Sequence, residues 1–167
     1  MFSVWVIICW IHLMSAIAWV GGMLFMGLIL IPVMRKALPS IERTLLFDKV
    51  GYRYGKVSSV ALLLLLVTGY LNGEHRHVDW THLTSSSYGR ILALKLILVA
   101  LVIGVTIVHS FVGRRITALT EQARDLGAAE ARTFQQRRPA QMFSIALSIT
   151  NLTLNLVVVL LAAALVN

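Results

Sequence analysis

Long apolar runs constrain this chain more than any motif does. Crossing the roughly 30 Å hydrocarbon layer of a bilayer takes about 20 residues of helix. Runs of that kind lie at about residues 4–31, 91–112 and 142–166, with a shorter one at about 57–71. The chain has 167 residues, of which 58% are hydrophobic and only 13% charged. A soluble domain of this size cannot bury that much apolar surface, so a bilayer is the expected solvent. The expected fold class is therefore an all-α integral membrane protein, a four-transmembrane-helix bundle forming one domain over 1–167. The first run starts at Met1 without a basic flank, is too long for a signal-peptide core and shows no small-residue cleavage site. It is expected to stay as an anchor. The lone Cys9 excludes an intrachain disulfide and a cysteine-based zinc site.

Charge sets the expected orientation. Arg35, Lys36, Arg43, Lys49, Arg53 and Lys56 fall between the first two spans, and Arg114, Arg115, Arg124, Arg132, Arg137 and Arg138 between the last two. The middle connection has only Arg76 and Arg90, offset by Glu74 and Asp79. The positive-inside rule then puts loops 32–56 and 113–141 in the cytoplasm, and loop 72–90 and both termini outside the cell (inner) membrane. Basic loops lying on anionic head groups account for the net charge of +8 without nucleic acid as a partner.

The stretch WIHLMSAIAWVGG places His12 inside the first apolar run. An ionisable ring there is costly unless it faces the bundle interior and finds a partner, which makes it a functional candidate. At about 1.5 Å per residue, His12 lies roughly 9 Å to the outside of mid-span and Lys95 of the third span roughly 10 Å to the same side. His109 lies roughly 11 Å toward the cytoplasm, so two histidines about 20 Å apart cannot ligate one metal. Trp5, Cys9, His12, Ala16, Trp19, Met23 and Met26 form one helical stripe, and Lys95, Val99, Val102, Thr106 and His109 another. If the stripes meet, His12 faces Lys95 in the outer layer and Met26 approaches His109 in the inner one. Histidine is the usual protein anchor of haem iron, and a bundle core can house haem b. His12 is then the expected iron ligand, with Lys95 either snorkelling to the outer interface or supplying the second nitrogen, and Trp19 and the Gly21–Gly22 pair making room. The bland alternative is tight helix packing around the glycines, with methionines filling gaps.

Two further sets of residues are open to more than one reading. The stretch GEHRHVDWTHLTSSSYG gathers His75, His77 and His82 in the outer loop, an imidazole set that suits copper. The same stretch also reads as an interfacial loop seated by Trp80 and Tyr88, or as a source of Arg76 and Arg90 for haem propionates. In the fourth span, Asn151 and Asn155 share a face, as do Thr150 and Thr153. They are expected to be interhelical hydrogen-bonding glue contributing roughly 0.5–2 kcal/mol.

The pattern of Trp10, His12, Trp19, Gly21, Gly22 and Phe25, followed by Pro32 and a basic patch, resembles the first helix of the CopD-like family. FDKVGYRYGKVSSVALLLLLVTGYLN, with Arg53, Val57, Thr68 and Gly69, is similar to that family's second helix, and LALKLILVALVIGVTIVHSFVGRR to its third. The resemblance covers about the first 115 residues. The HemJ-type membrane proteins share a histidine on helix one and a lysine on helix three, a layout associated with b-type haem, and it implies that role for His12 and Lys95. Three functions follow as expectations. One is a b-type haem protein, uncertain as an enzyme but suited to oxidoreduction, exchanging electrons with a quinone or an extracytoplasmic donor. Another is a copper-handling protein taking ions at His75, His77 and His82. The third is a cofactor-free subunit of a larger membrane complex or homo-oligomer.

Overall fold

The computed structural model describes residues 3–125 and 130–165, and the side chains of these apart from 40, 41 and 123–138. The chain folds into four helices long and apolar enough to cross a membrane. Helix α1 runs Val4–Ala37, with π-helical turns at Ile17–Gly21 and Met26–Leu30. Helix α2 is Ser40–His75, α3 is Ser87–Asp125 and α4 is Glu130–Ala164. Among the described residues there is no strand.

The helices reach well beyond the apolar runs. Pro32 does not end the first one, although proline lacks an N–H and crowds the carbonyl four residues back. The π turn Met26–Leu30 lies just before it, and Ile31 N–H bonds to Met26 O. This wider turn accommodates the ring. The break comes instead at Leu38, held extended (φ −130°, ψ 142°) because the following Pro39 disfavours helix at that position. The expected loop 32–56 is thus mostly helix, and its basic residues ride on the ends of α1 and α2. The expected loop 113–141 is likewise helical on α3 as far as Asp125 and on α4 from Glu130. The side chains of Arg124, Arg132, Arg137 and Arg138, and Val166 at the expected end of the fourth span, lie outside the described residues. At about 1.5 Å per residue, the 39 residues of α3 exceed the roughly 30 Å hydrocarbon layer, so helix projects past it.

Packing makes two hairpins. α3 and α4 form the closest pair and α1 and α2 the next, while α2 and α3 touch lightly. Trp5 on α1 stacks on His75 at the end of α2, with ring centroids 4.0 Å apart. Arg76 Nη1 donates to Leu165 O (3.3 Å). The start of α1, the α2–α3 connection and the end of α4 therefore sit at one end of the bundle. Burial is inverted relative to a soluble protein. Among the described residues the buried polar side chains are Ser15, Ser58, Thr68, Thr120, Asn151 and Asn155, while large apolar ones such as Leu28 and Leu160 are exposed. Lipid tails are as apolar as leucine, so burying leucine against another helix gains little, and small or hydrogen-bonding residues line the contacts.

At mid-bundle one polar web joins all four helices. The buried Trp19 donates its indole N–H to Asn155 Oδ1 (2.8 Å). Asn155 Nδ2 donates to Asn151 O (2.8 Å), and Asn151 Nδ2 to Thr106 Oγ1 on α3 (3.1 Å). From α2, the Tyr54 hydroxyl donates to Trp19 O (2.6 Å). Trp19 also forms the apolar centre with Ala61 and Val102. The asparagines are the interhelical glue that their spacing implies. Gly22 is what admits Tyr54: a Cβ there would lie 2.2 Å from Tyr54 Cε2.

Removing the indole donor by Trp19→Phe is expected to cost about 1 kcal/mol, and Gly22→Ala about 1–3 kcal/mol by overpacking. Reversible unfolding in mixed micelles measures both. Gly22→Ala should be nearly silent in a Tyr54→Ala background, and an undiminished cost there would show that the tyrosine contact is not what requires glycine.

Candidate functional site

The best-formed site in the half of the bundle that holds the start of α1 and the α2–α3 connection is built around His12. The ring is half-buried, and its Nδ1 lies 2.8 Å from Thr68 Oγ1 on α2. Thr68 is itself buried and sends its hydroxyl proton to Leu64 O one turn back. A hydroxyl has one proton, so Thr68 accepts from His12 Nδ1–H. That fixes the tautomer and leaves the lone pair on Nε2, which no described residue hydrogen-bonds. Orientation of one imidazole nitrogen by a fixed acceptor is how ligating histidines are prepared for metal at the other. Beside the ring the α2 backbone comes close: a Cβ on Gly69 would sit 3.5 Å from His12 Cε1.

Lys95 on α3 is half-buried and lies within electrostatic range of the His12 ring and of Arg76. It forms no hydrogen bond or ion pair with a described residue. Their helices are not close neighbours: α1 packs on α2, and through the Ile17–Gly21 turn on α4. The expected stripes of the first and third spans thus do not pack face to face; His12 and Lys95 lie only within electrostatic range, and the ring's partner is Thr68, which neither stripe contains. The clue in the sequence is the Thr68–Gly69 pair at the C-terminal end of the second apolar run.

Other expected site residues have different work. Trp19 is tied into the mid-bundle web at both its indole N–H and its carbonyl, and the space beside Gly22 is filled by Tyr54. Neither is placed to receive a cofactor, because packing has already used both. His109 meets Ser148 Oγ (2.9 Å) and Ser144 Oγ (3.2 Å) on α4 through Nε2, so it staples α3 to α4. Among the described residues no hydrogen bond joins Met26 to His109, and the methionine that meets the web is Met23, at 3.7 Å from Asn155 Nδ2. Cys9 is exposed, and its thiol reaches Asn72 Oδ1 (3.2 Å).

The loop histidines do not converge. His75 ends α2 and stacks on Trp5. His77 has a left-handed backbone (φ 53°) and is exposed. His82 Nδ1 faces Asp79 Oδ2 at 3.2 Å, with both side chains largely in water. Among the described residues no three His, Cys, Asp or Glu side chains are grouped to hold a metal ion. Trp80 folds back instead, donating to Glu74 Oε1 (2.7 Å) and stacking near Tyr70.

Comparison with known proteins gives two matches. A family model described as "Domain of unknown function (DUF4149)" matches residues 14–125. An uncharacterized protein of Aquifex aeolicus (strain VF5) is 41% identical over 63 residues, a stretch covering 37% of this chain and 43% of that protein. The match thus spans less than half the length of that relative. No solved structure matches the chain.

The loop carries a pH-sensitive turn. Hydrogen bonds from the Thr81 hydroxyl and amide, then from His82, hold the Asp79 carboxyl down to about 2. Because the folded value lies below the unfolded one, these bonds stabilise the turn fully above about pH 4 and are lost as pH falls through about 2. The Thr81 and His82 amide resonances should stay fixed as pH is lowered through 4. A titration centred near 4 would show that the carboxylate is not held.

Proposed function

The chain belongs to the DUF4149 family, and from its geometry we propose that this multi-pass membrane protein binds haem b in the outer half of the bundle. The observation that carries the reading is the lone pair left on His12 Nε2 by the fixed His12–Thr68 contact. In this reading His12 Nε2 and the Lys95 amine, unpaired among the described residues, would hold the iron, and Arg76, within electrostatic range of Lys95, would offset the charge of the propionates. The donor set fits the group: a neutral imidazole in an apolar setting and a nearby nitrogen on another helix. Haem supplies one-electron redox chemistry when bound. The protein's part is to hold the imidazole in one tautomer and orientation, and to keep water from the iron face. A quinone or an extracytoplasmic donor is the fitting electron partner. The layout of His12 on helix one and Lys95 on helix three, similar to that of HemJ-type membrane proteins, supports the same assignment.

The proposed setting is the cell inner membrane, with both termini and the 76–86 connection outside. The basic ends of α1, α2 and α3 then lie in the cytoplasm, as the distribution of arginine and lysine requires. Alkaline phosphatase fused after Thr84 should be active, and fused after Leu38 inactive; the reverse pattern would overturn the orientation.

Purified protein, reconstituted with haem if colourless, should show a Soret band that shifts on dithionite reduction. His12→Ala should abolish it, and Thr68→Val should weaken haem affinity by about 10–100-fold, the usual effect of losing a partner that orients a ligand. His109→Ala should leave the band intact. A band unchanged in His12→Ala, or stoichiometric copper with no haem uptake, would defeat the reading.

A further inference from the structure

A second feature lies in the opposite half of the bundle and owes nothing to His12. Where α2 and α3 touch only lightly, a cleft of about 360 Å³ opens between them. Trp19 closes it at mid-bundle, Ser58 and Ser59 line one side, and Thr106 and Ser110 the other. It opens sideways, past the exposed Ile107 and Phe111, toward the surface that faces lipid. The four hydroxyls make no demand on an occupant. Ser58 and Ser59 donate to Gly55 O, Thr106 to Val102 O and Ser110 to Thr106 O. Each proton is satisfied by its own helix, so an alkyl chain can lie against them without stranding a donor.

Length and charge identify the occupant. From Ile103 to Arg114, both lining the cleft, the helix rises roughly 16 Å at about 1.5 Å per residue. That is about half of the ~30 Å hydrocarbon layer, the depth of one leaflet from midplane to head group. Arg114 stands at the head-group end. Its guanidinium lies 4.6 Å over the Phe111 ring and pairs with no carboxylate among the described residues. Arginine so held presents its fork of donors to phosphate. We propose that this cleft binds one anionic phospholipid of the leaflet at the basic end of the bundle, its acyl chain along Ser58, Ser59, Thr106 and Ser110 and its phosphate on Arg114.

The test is native mass spectrometry of the full chain released from detergent, titrated with phosphatidylglycerol or phosphatidylcholine of identical acyl chains. The intact protein should retain phosphatidylglycerol about fivefold better or more, the scale of one basic residue at a membrane surface. Arg114→Gln should remove that preference and Arg114→Lys keep most of it. Ser59→Phe, which fills the cleft, should lower retention of both lipids. Circular dichroism and the thermal midpoint check folding, and if Ser59→Phe is misfolded, Arg114→Gln decides alone. Equal retention of the two lipids by the unaltered protein would overturn the proposal. So would a preference that survives Arg114→Gln, or a stable dimer that excludes lipid.

Discussion

The geometry of this bundle depends on how Trp19 is held at the centre of the membrane. Its indole N–H is fixed by Asn155 and its carbonyl by Tyr54, and Asn155 passes the connection through Asn151 to Thr106. In hydrocarbon there is no water to satisfy these groups if they part, so the four helices are pinned at one level. The web also sets the rotation of α1. His12 lies two turns toward the start of α1 on the face that carries Trp19, which aims it at Thr68. Met23, four residues on from Trp19 and on the same expected stripe, also meets Asn155.

The web divides the bundle into halves of different chemistry. On one side are His12, Thr68 and Lys95, beside a connection whose Trp80 folds back onto Tyr70 of α2. On the other is the cleft between α2 and α3, bounded by hydroxyls that are satisfied within their own helices and ending at Arg114. The first half is where the proposed haem would be held through nitrogen, the second where the proposed lipid would lie, and Trp19, which closes the cleft, is the partition between them.

Much of the architecture was legible in the sequence because a bilayer leaves few choices. Apolar length implies spans, and the distribution of basic residues implies an orientation. Helix ends were less legible, since hydropathy reports where a helix meets lipid and not where it stops. Pro32 misleads for that reason: a proline in the chain does not reveal the π turn that accommodates it, whereas Leu38–Pro39 makes the break. His12 and Lys95 stand out as ionisable groups at matching depth. The partners of His12 and His109 do not, because threonine and serine are ordinary residues in an apolar helix until another helix puts a nitrogen beside them.

The sequence by itself determined the solvent, the number of crossings and which ionisable side chains had to face inward, because each follows from the cost of placing polar groups in hydrocarbon. Only the tertiary structure decided which of those groups are already satisfied. Trp19, Gly22 and His109 look equally available in a linear pattern, yet Asn155, Tyr54 and the serines of α4 have engaged them. Among the described residues, His12 Nε2, the Lys95 amine and the Arg114 guanidinium are left without a hydrogen-bond partner. Hydrogen bonds and close packing are settled by neighbours distant in the chain, and helix rotation, which no periodicity specifies to within one side chain, chooses those neighbours.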